Sequence, residues 1–190
     1  EMSNINITKE ALGSALKALM LEKPINKITV RELTTQCGLT RHTFYNHFQD
    51  VYELLGWIYE HEVIEDFEEC CKCESWREGI EIVLKYTLDN KAICLNTFHS
   101  LGREHLEKFL QTTFLQLIRG TIEDIAKGME VPAMIKEEAA DFYTYAIVGE
   151  FLKWLEGGLK EKEEDVAQRI IRMMDGTIVC MMQRYAGNNK

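Results

Sequence analysis

Ile28-Thr29-Val30-Arg31-Glu32-Leu33-Thr34-Thr35-Gln36-Cys37-Gly38-Leu39-Thr40-Arg41-His42-Thr43-Phe44-Tyr45-Asn46-His47-Phe48 reads as two short helices joined by a tight turn. Thr29 and Glu32 stand in the capping-box relation, in which the threonine oxygen and the glutamate carboxylate each take a backbone N–H that the first helical turn leaves open. Val30 and Leu33 then face inward. The helix stops at Cys37-Gly38, because glycine adopts the left-handed conformation that closes a helix end without a Cβ penalty. Thr40 caps a second helix two residues later, from Arg41 to about His47. This helix buries Phe44 and Phe48 and presents Arg41, His42, Thr43, Tyr45, Asn46 and His47. The layout is that of a helix-turn-helix. A helix that reads DNA must enter a major groove about 12 Å wide and offer donors near its N-terminus, where base edges come closest. Arg41, His42 and Thr43 occupy those positions. Thr29, Thr40 and Tyr45 carry hydroxyls suited to phosphate oxygens, and the helix N-termini at Thr29 and Thr40 add backbone N–H groups for anions.

Outward from this stretch, apolar residues recur at spacings of three and four, and the only prolines are Pro24 and Pro132, so the expected fold class is all-α. A first helix is expected from Thr8 as N-cap, burying Leu12, Leu16, Leu19 and Met20 and ending before Pro24. Gln49-Asp50 opens a long helix through Val51, Leu54, Leu55, Ile58, Val63 and Phe67 to the Cys70–Cys73 cluster. Five more helices are expected at roughly 75–88, 91–101, 103–127, 132–159 and 163–185, about nine in all. The last two carry apolar side chains on more than one face and so need neighbours on two sides. Phe151, Trp154, Leu155, Ile170, Met174, Ile178 and Met181 are the residues expected at a homodimer interface. The domains expected are an N-terminal three-helix DNA-binding domain, residues 1–49, and a helical effector-binding and dimerisation domain, residues 50–190.

Charge supports that division. The 190 residues hold 22 Lys and Arg against 31 Asp and Glu, a formal charge of −9. Residues 1–49 carry Lys9, Lys17, Lys23, Lys27, Arg31 and Arg41 against Glu1, Glu10, Glu22 and Glu32, net +2, so the rest carries −11. A polyanion is expected to meet the first fifty residues. The longest uncharged stretch, Ala92–Gly102, is 11 residues, whereas a membrane-spanning helix needs about 20 apolar ones. The first residues lack the basic start and apolar run of a secretion signal, so a cytosol, with the six cysteines reduced, is the expected setting.

The run Ile28–Phe48, followed by Glu53-Leu54-Leu55, resembles the TetR family of one-component bacterial transcription regulators over about residues 8–60. The resemblance implies a nine-helix subunit that dimerises through its last two helices, binds a near-palindromic duplex operator and takes a small effector in its C-terminal domain, most often acting as a repressor. It makes Thr40, Tyr45 and His47 phosphate contacts and Arg41, His42 and Thr43 base readers. The sequence departs from many relatives at His42, where they have glycine, and at Val51, where they have a lysine. The first departure alters base preference and the second removes a phosphate charge. The segment Phe142–Leu159, with Gly149, Trp154 and Gly157-Gly158, is similar to a subgroup that includes regulators of dihydroxyacetone kinase operons.

Trp57, Trp76, Phe98, Phe114 and Tyr143, with Phe67 and Tyr145, are candidates to line an effector cavity, although aromatics at helical spacing more often pack a core. Cys70, Cys71 and Cys73, with His61 and Glu65 upstream, raise a metal or redox sensor as an alternative. No second cysteine pair completes a structural zinc set, and neither a metal nor a cofactor is expected. The histidines His42, His47, His61, His99 and His105 fall in no nucleophile, zinc-protease or phosphate-loop motif, so an enzyme is not expected. A further alternative is an adaptor that docks another regulatory protein through its C-terminal domain.

Overall fold

The computed structural model describes residues 2–63, 70–72 and 74–187, and among these all regular structure is helical. The helices are α1 (Met2–Glu22), α2 (Val30–Cys37), α3 (Arg41–Tyr45), α4 (Val51–Val63), α5 (Trp76–Asp89), α6 (Lys91–Phe98), α7 (Arg103–Ile125), α8 (Ala133–Glu156), α9 (Glu163–Met174) and α10 (Thr177–Tyr185). A short 3-10 turn, Ile25–Lys27, joins α1 to α2.

Three expectations are corrected. The first helix begins at Met2 rather than at Thr8, since no Gly or Pro before Thr8 interrupts it. The fourth, α4, is described as far as Val63, and Cys70–Lys72 form a tight turn, with Lys72 N–H bonded to Cys70 O at 2.8 Å, so the helix does not continue through the cysteines. Phe67, Glu65 and Cys73 lie outside the described residues. The expected last helix is a pair, because the chain leaves the helical path at Asp175 (φ −60°, ψ 122°) and Gly176 takes φ 72°.

The chain divides into two compact units, Glu1–Glu62 with Asn90–Phe109, and Val63–Asp89 with Leu110–Lys190. In the first, Leu12 and Leu16 of α1, Leu33 of α2, Phe44 of α3, and Leu54, Leu55 and Tyr59 of α4 are wholly buried, with Ile93, Cys94 and Phe98 of α6 beside them in the core. Each large apolar side chain taken from water this way contributes about 1.5–3 kcal/mol before chain entropy is counted. Lys17 of α1 donates to both carboxylate oxygens of Glu62 on α4, at 2.8 and 3.0 Å. Tyr59 of α4 and Thr97 of α6 share a buried hydroxyl–hydroxyl bond of 2.7 Å. These contacts keep α4 and α6 with α1, so compactness draws its boundary elsewhere than the helix-turn-helix motif does.

The second unit packs α5, the rest of α7, α8, α9 and α10. Phe114 meets Phe151 at 4.9 Å between ring centres, and Phe151 meets Trp154 edge-on. Arg169 of α9 bonds Glu150 of α8 at 2.8 Å and also pairs with Glu161, holding α9 against α8. Phe151, Trp154, Leu155, Ile170, Met174 and Ile178 are all buried within the chain and Met181 is half-buried. The residues expected at a dimer interface thus pack largely within the subunit, and of that set Met181 is the one part-exposed. The large apolar side chains that α8 and α9 leave exposed are Met134 at the start of α8 and, further on, Phe142, Tyr145 and Met173, at 68%, 66% and 65%. Ala146 and Gly149 lie on the same exposed stripe of α8.

Candidate nucleic-acid interface

The helix-turn-helix is built by local rules. Thr29 Oγ1 accepts Glu32 N–H at 3.3 Å and Glu32 Oε2 accepts Thr29 N–H at 2.9 Å, the reciprocal capping box. The Thr29 hydroxyl also donates to that carboxylate at 2.9 Å. Its proton is therefore engaged, and a phosphate contact by Thr29 would have to displace Glu32. The N-terminus of α2 is thus occupied by the chain's own anion. A hydrogen bond from Lys23, then those from Thr29, lower the Glu32 pKa from an ordinary 4.5 to about 2. A carboxylate with a depressed pKa stabilises the fold fully above its unfolded value and loses that contribution as pH falls through the folded one. The contribution of the box to stability is therefore expected to be whole at pH 5 and to be lost between about 4.5 and 2, with the Glu32 carboxyl resonance titrating near the lower figure; a midpoint near 4.5 would contradict the geometry.

Gly38 takes φ 65°, and Leu39 N–H reaches back to Thr34 O at 2.8 Å, which turns the chain tightly into α3. Thr40 Oγ1 accepts Thr43 N–H at 3.1 Å and lies 2.8 Å from Thr43 Oγ1. One hydroxyl proton is used between the two oxygens, so the pair keeps a second to offer outward. Phe44 is wholly buried, Phe48 lies 5.9 Å from it and Trp57 of α4 lies 6.1 Å from Phe48, a row of rings that fixes how α3 sits.

On that base Arg41, His42, Tyr45 and Asn46 are exposed, as are Thr29 and Thr40, while Thr43 and His47 are half-buried. The Tyr45 ring stands edge-on to Phe44 at 5.4 Å, which braces it with 52% of the residue in solvent. His47 borders a depression of about 330 Å³ with Lys9, Phe48, Glu53 and Trp57, where Lys9 lies 5.7 Å over the Phe48 ring. The exposed cations Lys27, Arg31 and Arg41 belong to the same unit. The place of Lys9 beside this depression was not legible in the sequence, because the Phe48 ring it covers lies far along the chain.

The other candidate sets behave differently. Trp76, Phe98, Phe114 and Tyr143 are buried, and Trp57 is half-buried and stacks on His61 at 4.7 Å. Tyr143 bonds Thr177 through its hydroxyl at 3.0 Å. Trp57 and Phe98 belong to the first unit and the other three to the second, so within neither unit do they form one lining. Tyr145 is on the exposed stripe of α8. Among the described residues no three His, Cys, Asp or Glu side chains gather as a metal site. Cys70 and Cys94 are buried, Cys37 and Cys71 half-buried and Cys180 exposed. Burial pushes the Cys94 thiol up to about 12. At pH 8 a maleimide is expected to label Cys180 first and Cys94 only on unfolding, as read by mass spectrometry of digests; early labelling of Cys94 would contradict the packing.

The sequence pattern of the TetR_C_8 family, described as a transcriptional regulator C-terminal region, matches residues 74–176, more than half of the chain. The chain belongs to the TetR family of transcriptional regulators. Over 85 residues it is 31% identical to the HTH-type dhaKLM operon transcriptional activator DhaS of Lactococcus lactis subsp. lactis (strain IL1403), covering 45% of this chain and 46% of that protein. The matched region is thus under half of that relative's length. The solved structure of the dihydroxyacetone kinase operon activator DhaS superposes with a TM-score of 0.70 at 22% identity, over 95% of this chain and 98% of that one. NalD, the secondary repressor of the MexAB-OprM multidrug efflux pump in Pseudomonas aeruginosa, gives 0.58 at 18% identity, over 96% and 99%. These two likenesses show the shared fold of this TetR-family regulator. In the described residues no helix is long and apolar enough to cross a membrane.

Proposed function

We propose that this TetR-family regulator is a homodimer that binds a near-palindromic duplex operator through α3 and controls transcription from the bacterial cytosol. In this reading residues 1–49 are the DNA-binding domain and residues 50–190 the effector-binding and dimerisation domain. The observation that carries it is the row of donors Arg41, His42, Tyr45 and Asn46, held in solvent by the buried Phe44 and Phe48. Arg41, His42 and Thr43 read base edges. Thr40, Tyr45 and His47 take phosphates, with Thr29 holding the start of α2. Arg41→Ala is expected to cost about 1–3 kcal/mol and to relax preference at particular base pairs, whereas Tyr45→Phe weakens all duplexes alike. An Arg41→Ala protein with the wild-type site and affinity would show that α3 is not the reading helix.

The dimer forms through the exposed stripe of α8 and α9. A small effector in the C-terminal domain releases operator and thereby relieves repression. Such an effector must bind the free and operator-bound conformations unequally, so operator must weaken effector binding by the same factor. α4 is the lever in this reading. Its 13 described residues span about 20 Å, and it begins at Val51, close behind α3. Calorimetric titration of a metabolite co-purified with the protein, with and without operator, tests the linkage; equal affinities would exclude ligand-controlled release. The close packing of Trp76, Phe114 and Tyr143 favours a second reading, an adaptor whose C-terminal domain docks another regulatory protein. A transcriptional reporter then gives the sign of control, since DhaS is named an activator and NalD a repressor. For the thiol-sensor alternative, replacing Cys70, Cys71 and Cys73 by Ser is expected to leave operator affinity unaltered with or without zinc or mild peroxide. A response in the wild type that the triple variant loses would establish the sensor instead.

A further inference from the structure

Asn96 holds the turn that leads into the helix-turn-helix. In a continuing helix the carbonyl of Met20 would accept the N–H of residue 24, but residue 24 is proline and has none. α6 supplies the missing donor. Asn96 Nδ2 donates to Met20 O at 2.8 Å and to Lys23 O at 2.9 Å, and its Oδ1 accepts Ile25 N–H at 3.0 Å. One carboxamide thereby serves three backbone groups between the end of α1 and the 3-10 turn, and Ile25 itself is wholly buried. No other short side chain matches this set: Asp has no donor, and Ser and Thr have a single proton. The next residue of α6, Thr97, carries the buried bond to Tyr59 of α4. Adjacent positions of one helix thus grip the two elements that bracket the helix-turn-helix.

We infer that Asn96 is a positioning residue for DNA recognition, setting the direction in which the chain leaves α1 and enters α2, and through α2 the attitude of α3. The inference rests on the DNA-binding reading above. Val30, the first residue of α2, follows Ile25 by five positions, and the intervening Lys27 and Ile28 N–H groups bond back to Pro24 O and Ile25 O at 2.9 and 3.0 Å. An error at Ile25 is therefore passed on to α2 rather than absorbed. Base readout by a side chain such as Arg41 tolerates misplacement of only about 0.5 Å or 10–20°. Phosphate attraction tolerates far more, because charge acts over a Debye length of about 8–10 Å.

The test uses the full chain as wild type, Asn96→Ala, Asn96→Asp, Pro24→Ala and the double variant Pro24→Ala/Asn96→Ala. Hydrogen exchange on the free protein and affinity for operator against random duplex are read on each. Asn96→Ala and Asn96→Asp are expected to speed exchange at Ile25 and along α2 and to weaken operator binding about tenfold, with random-duplex affinity and its salt dependence unchanged. Pro24→Ala restores an N–H for Met20 O, so in that background Asn96→Ala is expected to cost less, a coupling that the double-mutant cycle measures. An Asn96→Ala chain that melts earlier yet keeps its operator preference, or that exchanges as wild type at Ile25 and α2, would overturn the inference alone. A wild type that does not distinguish operator from random duplex would overturn the DNA-binding reading and this inference with it.

Discussion

Changing Phe142 and Tyr145 together to Asp is expected to give a folded monomer that binds operator about 100- to 10,000-fold more weakly than wild type. That range is the usual gain when a second site is engaged intramolecularly. Both residues stand mostly in solvent on α8, with the Phe142 ring edge-on to the buried Tyr143, so their loss removes little from the core of the subunit. In a two-fold pair each would lie in the interface together with the partner's copy, and four added carboxylates would repel one another across it. In the nearby, predominantly apolar groove bordered by Ala146, Ile147, Arg169, Arg172 and Met173, Arg169 is already paired with Glu150 and Glu161, so the groove offsets only part of the added charge. Sedimentation gives the mass and anisotropy the affinity. A double variant that stays dimeric with unchanged affinity would place the interface elsewhere.

The second large effect is on stability. Phe44→Ala is expected to destabilise the first unit by about 3–5 kcal/mol, the range for deleting a buried ring whose cavity does not collapse. Phe44 is wholly buried and touches both Tyr45 and Phe48, so the cavity would open directly beneath the exposed face of α3. Operator binding should fall with it, since the donors lose the row of rings that holds them. Denaturant unfolding followed by far-UV circular dichroism checks the figure. A loss below about 1 kcal/mol would mean that the ring is not part of the core.

What the sequence made legible follows the range of the forces involved. Capping and turn rules act over three or four residues, so Thr29 with Glu32, Gly38 and Thr40 could be placed from spacing alone, and with them the face of α3. The break at Gly176 could not. Ile170, Met174 and Ile178 continue a four-residue period straight through it, and a single glycine costs a helix only about 1 kcal/mol. The outward face of α8 was not legible for a related reason. A helix that is apolar on two sides does not reveal which side its own subunit covers, and here Phe151, Trp154 and Leu155 turn inward while Phe142 and Tyr145 turn out. Asn96 was beyond reach altogether. Its partners are 71 to 76 residues away, and a lone asparagine in a short helix carries no local signal. The aromatic candidates for an effector cavity show the same limit, since helical spacing does not separate a cavity wall from a packed core.

The central claim is that α3 of a two-fold dimer reads base sequence, and selection from a random duplex pool followed by footprinting tests it most directly. The account predicts enrichment of a near-palindrome whose half-sites are about one helical turn apart, roughly 34 Å, or a multiple of that distance, protected symmetrically on both strands. Enrichment of no sequence, or only of single non-palindromic sites, would contradict it.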